Sequence, residues 1–145
     1  MKTPTMLELN YLTAILLLNY YNDKVVIKYQ ASKEREDSFK VNHPAYIDMP
    51  MAFMHLAIIC ARELYEAKQS QGLEDGDWKR LNEIRNTIVH AKKPEDQQIR
   101  IIGTANEVFD ILNKLNTYLY NKYDLHSNAK WQKHIEKYYN DLDNY

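Results

Sequence analysis

The chain has 145 residues, 45% apolar and 27% charged, which describes one globular domain able to bury a core and excludes a disordered or fibrous chain. Its net charge of −1 excludes a polycation, so a nucleic-acid partner would have to be met by a local patch. The single cysteine, Cys60, excludes an intramolecular disulfide and, within the apolar run "AIICA", reads as a small buried hydrophobe.

Three glycines and four prolines are sparse punctuation and favour long helices over many short strands. The opening "MKTPTMLELNYLTAILLLNYYND" has an apolar run from Ala14 to Leu18, but Glu8 and Asn10 intrude, no small-residue cleavage site follows, and the run is too short to span a bilayer. It reads as a buried helix of a cytoplasmic protein, from about Thr5 to Tyr21. Leu9, Leu12, Ile15, Leu16 and Tyr20 recur at helical spacing, and Leu7, Leu17 and Leu18 widen the apolar face.

From Lys24 to Asn42, β-branched Val25-Val26-Ile27, the charged "ASKERED", and Phe39 and Val41 fit either a small β-hairpin or a loop insertion. A second helix is expected from about Pro50, which suits a first turn, to Ser70, with Gly72 just past its end. Met51 to Ala61 is apolar nearly all round and belongs in the core, while "RELYEAKQSQ" emerges into water. A third helix follows, with Asp77 as N-cap, Trp78, Leu81, Ile84 and Ile88 on one face, and Pro94 as its stop. A fourth runs from about Gln98 to Lys122, with Ile102, Val108, Phe109, Leu112, Leu115 and Leu119 inward. A fifth opens on Ser127 as cap, with Trp131, Ile135, Tyr138 and Leu142 as its stripe. No repeat, low-complexity tract or interdomain linker interrupts this. The expected fold is all-α, a compact bundle of about five helices in one domain over 1–145.

The third helix carries the chemistry. "RNTIVH" sets Arg85 and Asn86 close to His90. Five positions at about 100° per residue put Arg85 and His90 roughly 140° apart around a straight helix. Either the helix loosens in its last turn or a second copy completes the site. The residue types suit metal-independent RNA cleavage. Histidine transfers protons near neutral pH, and arginine offers a fixed fork of donors matched to phosphate. Asn86 could orient a phosphate, the scissile ribose or the histidine. Between Asp77 and Lys93, the cations Lys79, Arg80, Arg85, Lys92 and Lys93 outnumber Asp77 and Glu83 by three, a local basic patch for RNA.

Arg85-Asn86, three residues, then His90, near the end of the third helix of a small all-α domain, resembles the HEPN superfamily. Its motif is an arginine, four to six residues, then a histidine, often with a polar residue directly after the arginine. The resemblance implies a homodimeric endoribonuclease whose composite site at the dimer interface uses Arg85, Asn86 and His90, and the local basic patch offers Lys79, Arg80, Lys92 and Lys93 as RNA contacts. It implies cleavage of single-stranded RNA without a metal or other cofactor, leaving 2′,3′-cyclic phosphate and 5′-hydroxyl ends. The setting it implies is antiviral defence, including CRISPR-associated effectors, or a toxin, with an antitoxin or a larger effector complex as further partner. Lys92 departs from the tyrosine often found two positions after the histidine in toxins paired with nucleotidyltransferase antitoxins, and so speaks against an antitoxin of that type.

Other constellations read as packing. His55 and Cys60 lie on an apolar helix, His126 and His134 are isolated, and no metal-ligand spacing or Gly-rich phosphate loop occurs. The twelve tyrosines, in "YLYNKY" and "EKYYNDLDNY" among others, have spacing that favours core and interface packing over base stacking. A non-catalytic helical dimerisation or interaction module is the alternative function.

Overall fold

A reciprocal capping box starts the first helix. The Thr5 backbone N–H donates to Glu8 Oε1 (2.9 Å), and the Glu8 N–H donates back to Thr5 Oγ1 (3.2 Å). The computed structural model describes residues 3–34, 44–67, 72–90 and 94–144, with side chains at 3–23, 52–67, 72–86 and 106–144. Five helices account for most of them: α1 (Met6–Glu34), α2 (Pro44–Glu66), α3 (Asp75–His90), α4 (Pro94–Tyr123) and α5 (Ala129–Asp143). No strand occurs among the described residues, and the expected all-α class holds.

Several boundaries differ from the sequence expectations. The first helix does not end near Tyr21 but continues through Lys24–Glu34, so Val25-Val26-Ile27 is helical rather than the arm of a hairpin. No glycine or proline lies between Pro4 and Pro44 to stop it, and Gln30, Ala31, Lys33 and Glu34 are good helix formers. Phe39 and Val41 lie outside the described residues.

The second helix starts at Pro44, not Pro50, and ends at Glu66; Ser70 lies outside the described residues. A proline at the first position gives up an N–H that has no helical partner there, whereas Pro50 sits a turn and a half further in. Pro94 opens α4, several residues before the expected Gln98. Asp77 is not the cap of α3. Glu74 precedes the helix, and Asp77, in its first turn, accepts from the Glu74 N–H at 3.4 Å, half of a capping box. Nor is Ser127 the cap of α5: Asn128 is, with its side chain accepting from the Trp131 N–H at 3.0 Å.

Side-chain contacts fix how the helices run. Tyr11 donates to the Leu112 carbonyl (3.2 Å) and to Asn116 Oδ1 (2.6 Å), while Glu8, earlier in α1, meets Lys122 and Tyr123, later in α4. The two helices are therefore antiparallel. Asp77 meets Lys114 and Arg80 meets Glu107, so α3 and α4 are antiparallel too. Tyr21 stacks on Phe53 between α1 and α2, and Tyr20 contacts α5 through Tyr139 and Asp143.

The turn from α4 to α5 is a Schellman motif. The Leu125 N–H bonds back to the Tyr120 carbonyl and the Asp124 N–H to that of Asn121, with Asp124 in the left-handed region at φ 49°.

One core joins these elements. Leu12, Leu16 and Leu18 of α1, Met54, Ile58 and Leu64 of α2, Trp78, Leu81 and Ile84 of α3, Val108, Leu112, Leu115 and Leu119 of α4, and Trp131 of α5 are all buried in it. Phe109, Ile135 and Leu7 pack against its edge, Tyr138 and Leu142 are half-buried, and Ile88 and Ile102 fall outside the described side chains. Two expectations fail here. Leu9 is exposed, and the run "Met51 to Ala61" is not buried all round, because Leu56 (41%) and Ile59 (36%) face away from the bundle. Cys60 is buried, as its apolar setting suggests. No helix among the described residues is long and apolar enough to cross a membrane.

Candidate functional site at the end of the third helix

Buried Trp78, Leu81 and Ile84 anchor one side of α3 in the core. Arg85 and Asn86 follow directly and are both half-buried. Arg85 Nη1 donates to Asn86 Oδ1 at 3.2 Å, so the carboxamide orients the guanidinium. Arg85 Nε is buried and has no hydrogen-bond partner, and no carboxylate pairs with this arginine among the described residues.

The other arginines with described side chains have carboxylate partners, although Arg62 Nε, like Arg85 Nε, is buried without a hydrogen bond. Arg62 pairs with Glu66 at 3.3 Å. Arg80 is held by Glu107 through two bonds (2.6 and 3.0 Å) and by Glu83 at 3.3 Å. These hydrogen bonds, Glu107 first, raise the Arg80 pKa, and in return Arg80 holds the Glu107 carboxyl below its ordinary range.

His90 is the last residue of α3, and its side chain lies outside the described set. The helix stays α-helical through that residue, so of the two alternatives a loosened last turn is not seen. Positions 85 and 90 therefore stay about 140° apart around one helix. Of the four residues read as RNA contacts, Lys79 is exposed, Arg80 is already neutralised by two glutamates, and Lys92 and Lys93 lie outside the described residues.

Elsewhere, burial pushes the Cys60 thiol up, and Glu63 adds to the effect, so the thiolate a nucleophile needs is disfavoured. His55 is half-buried on α2 with Nε2 unpartnered, and burial lowers its pKa. Among the described residues no group of three or more His, Cys, Asp or Glu is placed to hold a metal ion.

A cleft of about 280 Å³ between α1 and α4 was not foreseen. It is walled by Asn19, Asn113, Asn116, Thr117, Tyr120 and His126. The signal was present as Asn113, Asn116, Thr117 and Tyr120, which share one face of α4 at helical spacing. No protein-family model matches this chain, and neither a curated protein nor a solved structure matches it.

Proposed function

We propose that the chain is a homodimeric, metal-independent endoribonuclease of the HEPN type, cutting single-stranded RNA in a defence or toxin setting. The observation that carries this reading is the Arg85 guanidinium, half-buried, oriented by Asn86 and without a carboxylate among the described residues. Leaving a buried N–H unsatisfied costs about 1–3 kcal/mol, a cost that a bound phosphate oxygen would offset. A cation held in place and unneutralised is what the charge developing on a phosphoryl group requires.

In the reaction, the ribose 2′-oxygen attacks the adjacent phosphorus and the bond from phosphorus to the 5′-oxygen breaks. His90 of one copy either takes the 2′ proton as general base or delivers a proton to the leaving 5′-oxygen as general acid, with solvent water serving the other transfer. Arg85 binds the non-bridging oxygens. The products are a 2′,3′-cyclic phosphate and a 5′-hydroxyl. The 140° between positions 85 and 90 favours a second copy as the source of the missing group.

The test is incubation of the purified protein with labelled RNA in EDTA, alongside Arg85→Ala and His90→Ala. Cleavage that persists in EDTA and falls at least 100-fold in both variants is the expected result. Equal cleavage by all three proteins would sink the assignment. Growth arrest on expression, relieved by His90→Ala, would mark a toxin.

Exposed Leu56 and Ile59 on α2 favour a second reading, a non-catalytic helical interaction module. Self-association without EDTA-resistant cleavage would select it.

A further inference from the structure

The solvent face of α5 carries side chains that neither the core nor the α3 site uses. Lys130, Lys133 and Lys137 are exposed, and none pairs with a carboxylate among the described residues. At about 100° per residue the three fall within roughly 60° of one another, with exposed His134 about 40° to one side of Lys130. Glu136 lies about 60° beyond Lys133 on the opposite flank, and buried Trp131 marks the direction of the core. The stripe runs about 10 Å along the axis. It stops before Asp141 and Asp143, the second of which accepts from the Tyr20 hydroxyl.

A row of aromatic and imidazole rings borders this stripe. His126 meets Tyr120 at 4.7 Å, Tyr120 meets Trp131 at 6.5 Å, Trp131 stacks on His134 at 5.5 Å, and His134 lies 5.9 Å from Tyr138. Trp131 Nε1–H donates to the Tyr120 hydroxyl at 3.1 Å, which locks the middle of the row. His126 and His134 are exposed, and Tyr138, at the far end, is half-buried.

Tyr120 and His126 also wall the α1–α4 cleft. There Asn116 Oδ1 is taken by the Tyr11 hydroxyl, so its amide group keeps two donors for a ligand. No charged side chain lines that cleft.

We propose that this surface binds single-stranded RNA. Phosphates lie along Lys130, Lys133 and Lys137, bases stack on His134, Tyr138 and His126, and one base edge enters the asparagine cleft. Alternating π faces and phosphates are what a single strand offers, whereas a duplex hides its faces. An anionic membrane would satisfy the lysines but not an uncharged carboxamide cleft beside a row of rings. The surface is separate from the Arg85 site. Asn116 and Tyr120 lie about 180° and about 140° around α4 from Glu107, which faces α3. A strand would be held here whether or not the α3 site cuts it.

The test is binding of a fluorescent 2′-O-methyl 12-mer, which cannot be cleaved through its 2′-oxygen, to the full chain across a salt series. Absence of ribonuclease activity therefore leaves the measurement intact. The Lys130→Ala/Lys133→Ala/Lys137→Ala variant is expected to bind at least tenfold more weakly. Its dependence of log affinity on log salt should be shallower by about 2, at about 0.7 per phosphate contact on a single strand. Lys133→Gln alone should remove about 0.7 from that slope, and His134→Ala should weaken binding about fivefold. A duplex of the same sequence should bind more weakly than the single strand. Unchanged affinity and slope in the triple variant, with a wild-type helical spectrum, would overturn the proposal. So would binding to phosphatidylserine vesicles without binding to the 12-mer.

Discussion

The Tyr123 hydroxyl, in the last turn of α4, donates a 2.5 Å hydrogen bond to the Glu8 carboxylate in the first turn of α1. Glu8 is fully buried, and Lys122 Nζ (3.1 Å) and the Thr5 N–H (2.9 Å) also donate to it. One acid thus caps its own helix and ties that helix to the far end of another.

This arrangement sets a pH dependence. Burial pushes the Glu8 carboxyl up, but the hydrogen bonds from Tyr123, Thr5 and Lys122 outweigh it and hold the pKa below the ordinary carboxylate value. A carboxyl depressed on folding contributes stability that is complete above its unfolded pKa, about 4.3. That stability is lost as pH falls through the lower folded value. Thermal melts from pH 7 to pH 2 should therefore show a drop below about pH 4 that is shallower in Glu8→Gln. Tyr123→Phe should cost about 1–3 kcal/mol at neutral pH by removing a buried donor. Identical acid limbs in wild type and Glu8→Gln would contradict the assignment.

Gly72 is required by a close approach. A Cβ there would overlap Tyr118 Cβ and Cγ, atoms too near the α4 backbone to swing away. Gly72→Ala should therefore cost about 1–3 kcal/mol, read as a lower midpoint in urea at unchanged slope. Gly76 is the internal control, since nothing lies within 4 Å of its Cβ position. Gly76→Ala, within the first turn of α3, should be neutral or mildly stabilising.

Asp124 occupies the left-handed position of the Schellman turn with φ 49°. Aspartate tolerates that region better than most residues, but glycine carries no Cβ penalty there. Asp124→Gly should stabilise by up to about 1 kcal/mol, whereas Asp124→Val should destabilise by about 1 kcal/mol or more. Differential scanning calorimetry of the two variants checks the sign of each.

These features differ in how readable they were. The helices themselves were visible because Leu12, Leu16, Leu81, Leu115 and Trp131 fall on helical stripes, and each is buried. Thr5-Met6-Leu7-Glu8 is a capping-box pattern in plain view, yet burial of Glu8 depends on Tyr123 and Lys122, which lie more than a hundred residues away. A helix apolar on all sides cannot say which positions lose contact, so the exposure of Leu56 and Ile59 was not legible. Val25-Val26-Ile27 misled because β-branched residues favour strands only weakly when no breaker ends the preceding helix. At the candidate site, Arg85 and Asn86 stood out by type and spacing. Arg80, read as an RNA contact, is instead held by Glu107, 27 positions later, which no local pattern announces.

The separation of positions 85 and 90 around an unbroken helix leads to a complementation experiment. If each cleft draws on both copies, Arg85→Ala protein retains two histidines and His90→Ala protein retains two arginines. Each alone should be about 10²–10⁴-fold less active than wild type. Mixed after brief denaturation and refolding, the two variants would form heterodimers holding one arginine and one histidine in the shared cleft. Cleavage at least tenfold above either variant alone is the expected outcome, measured by release of 2′,3′-cyclic phosphate ends in EDTA. A site contained within a single chain gives the opposite result, because every chain in the mixture lacks one essential group. Mixtures no more active than their components, while exchange of subunits is confirmed by fluorescence transfer between labelled copies, would rule out the composite cleft.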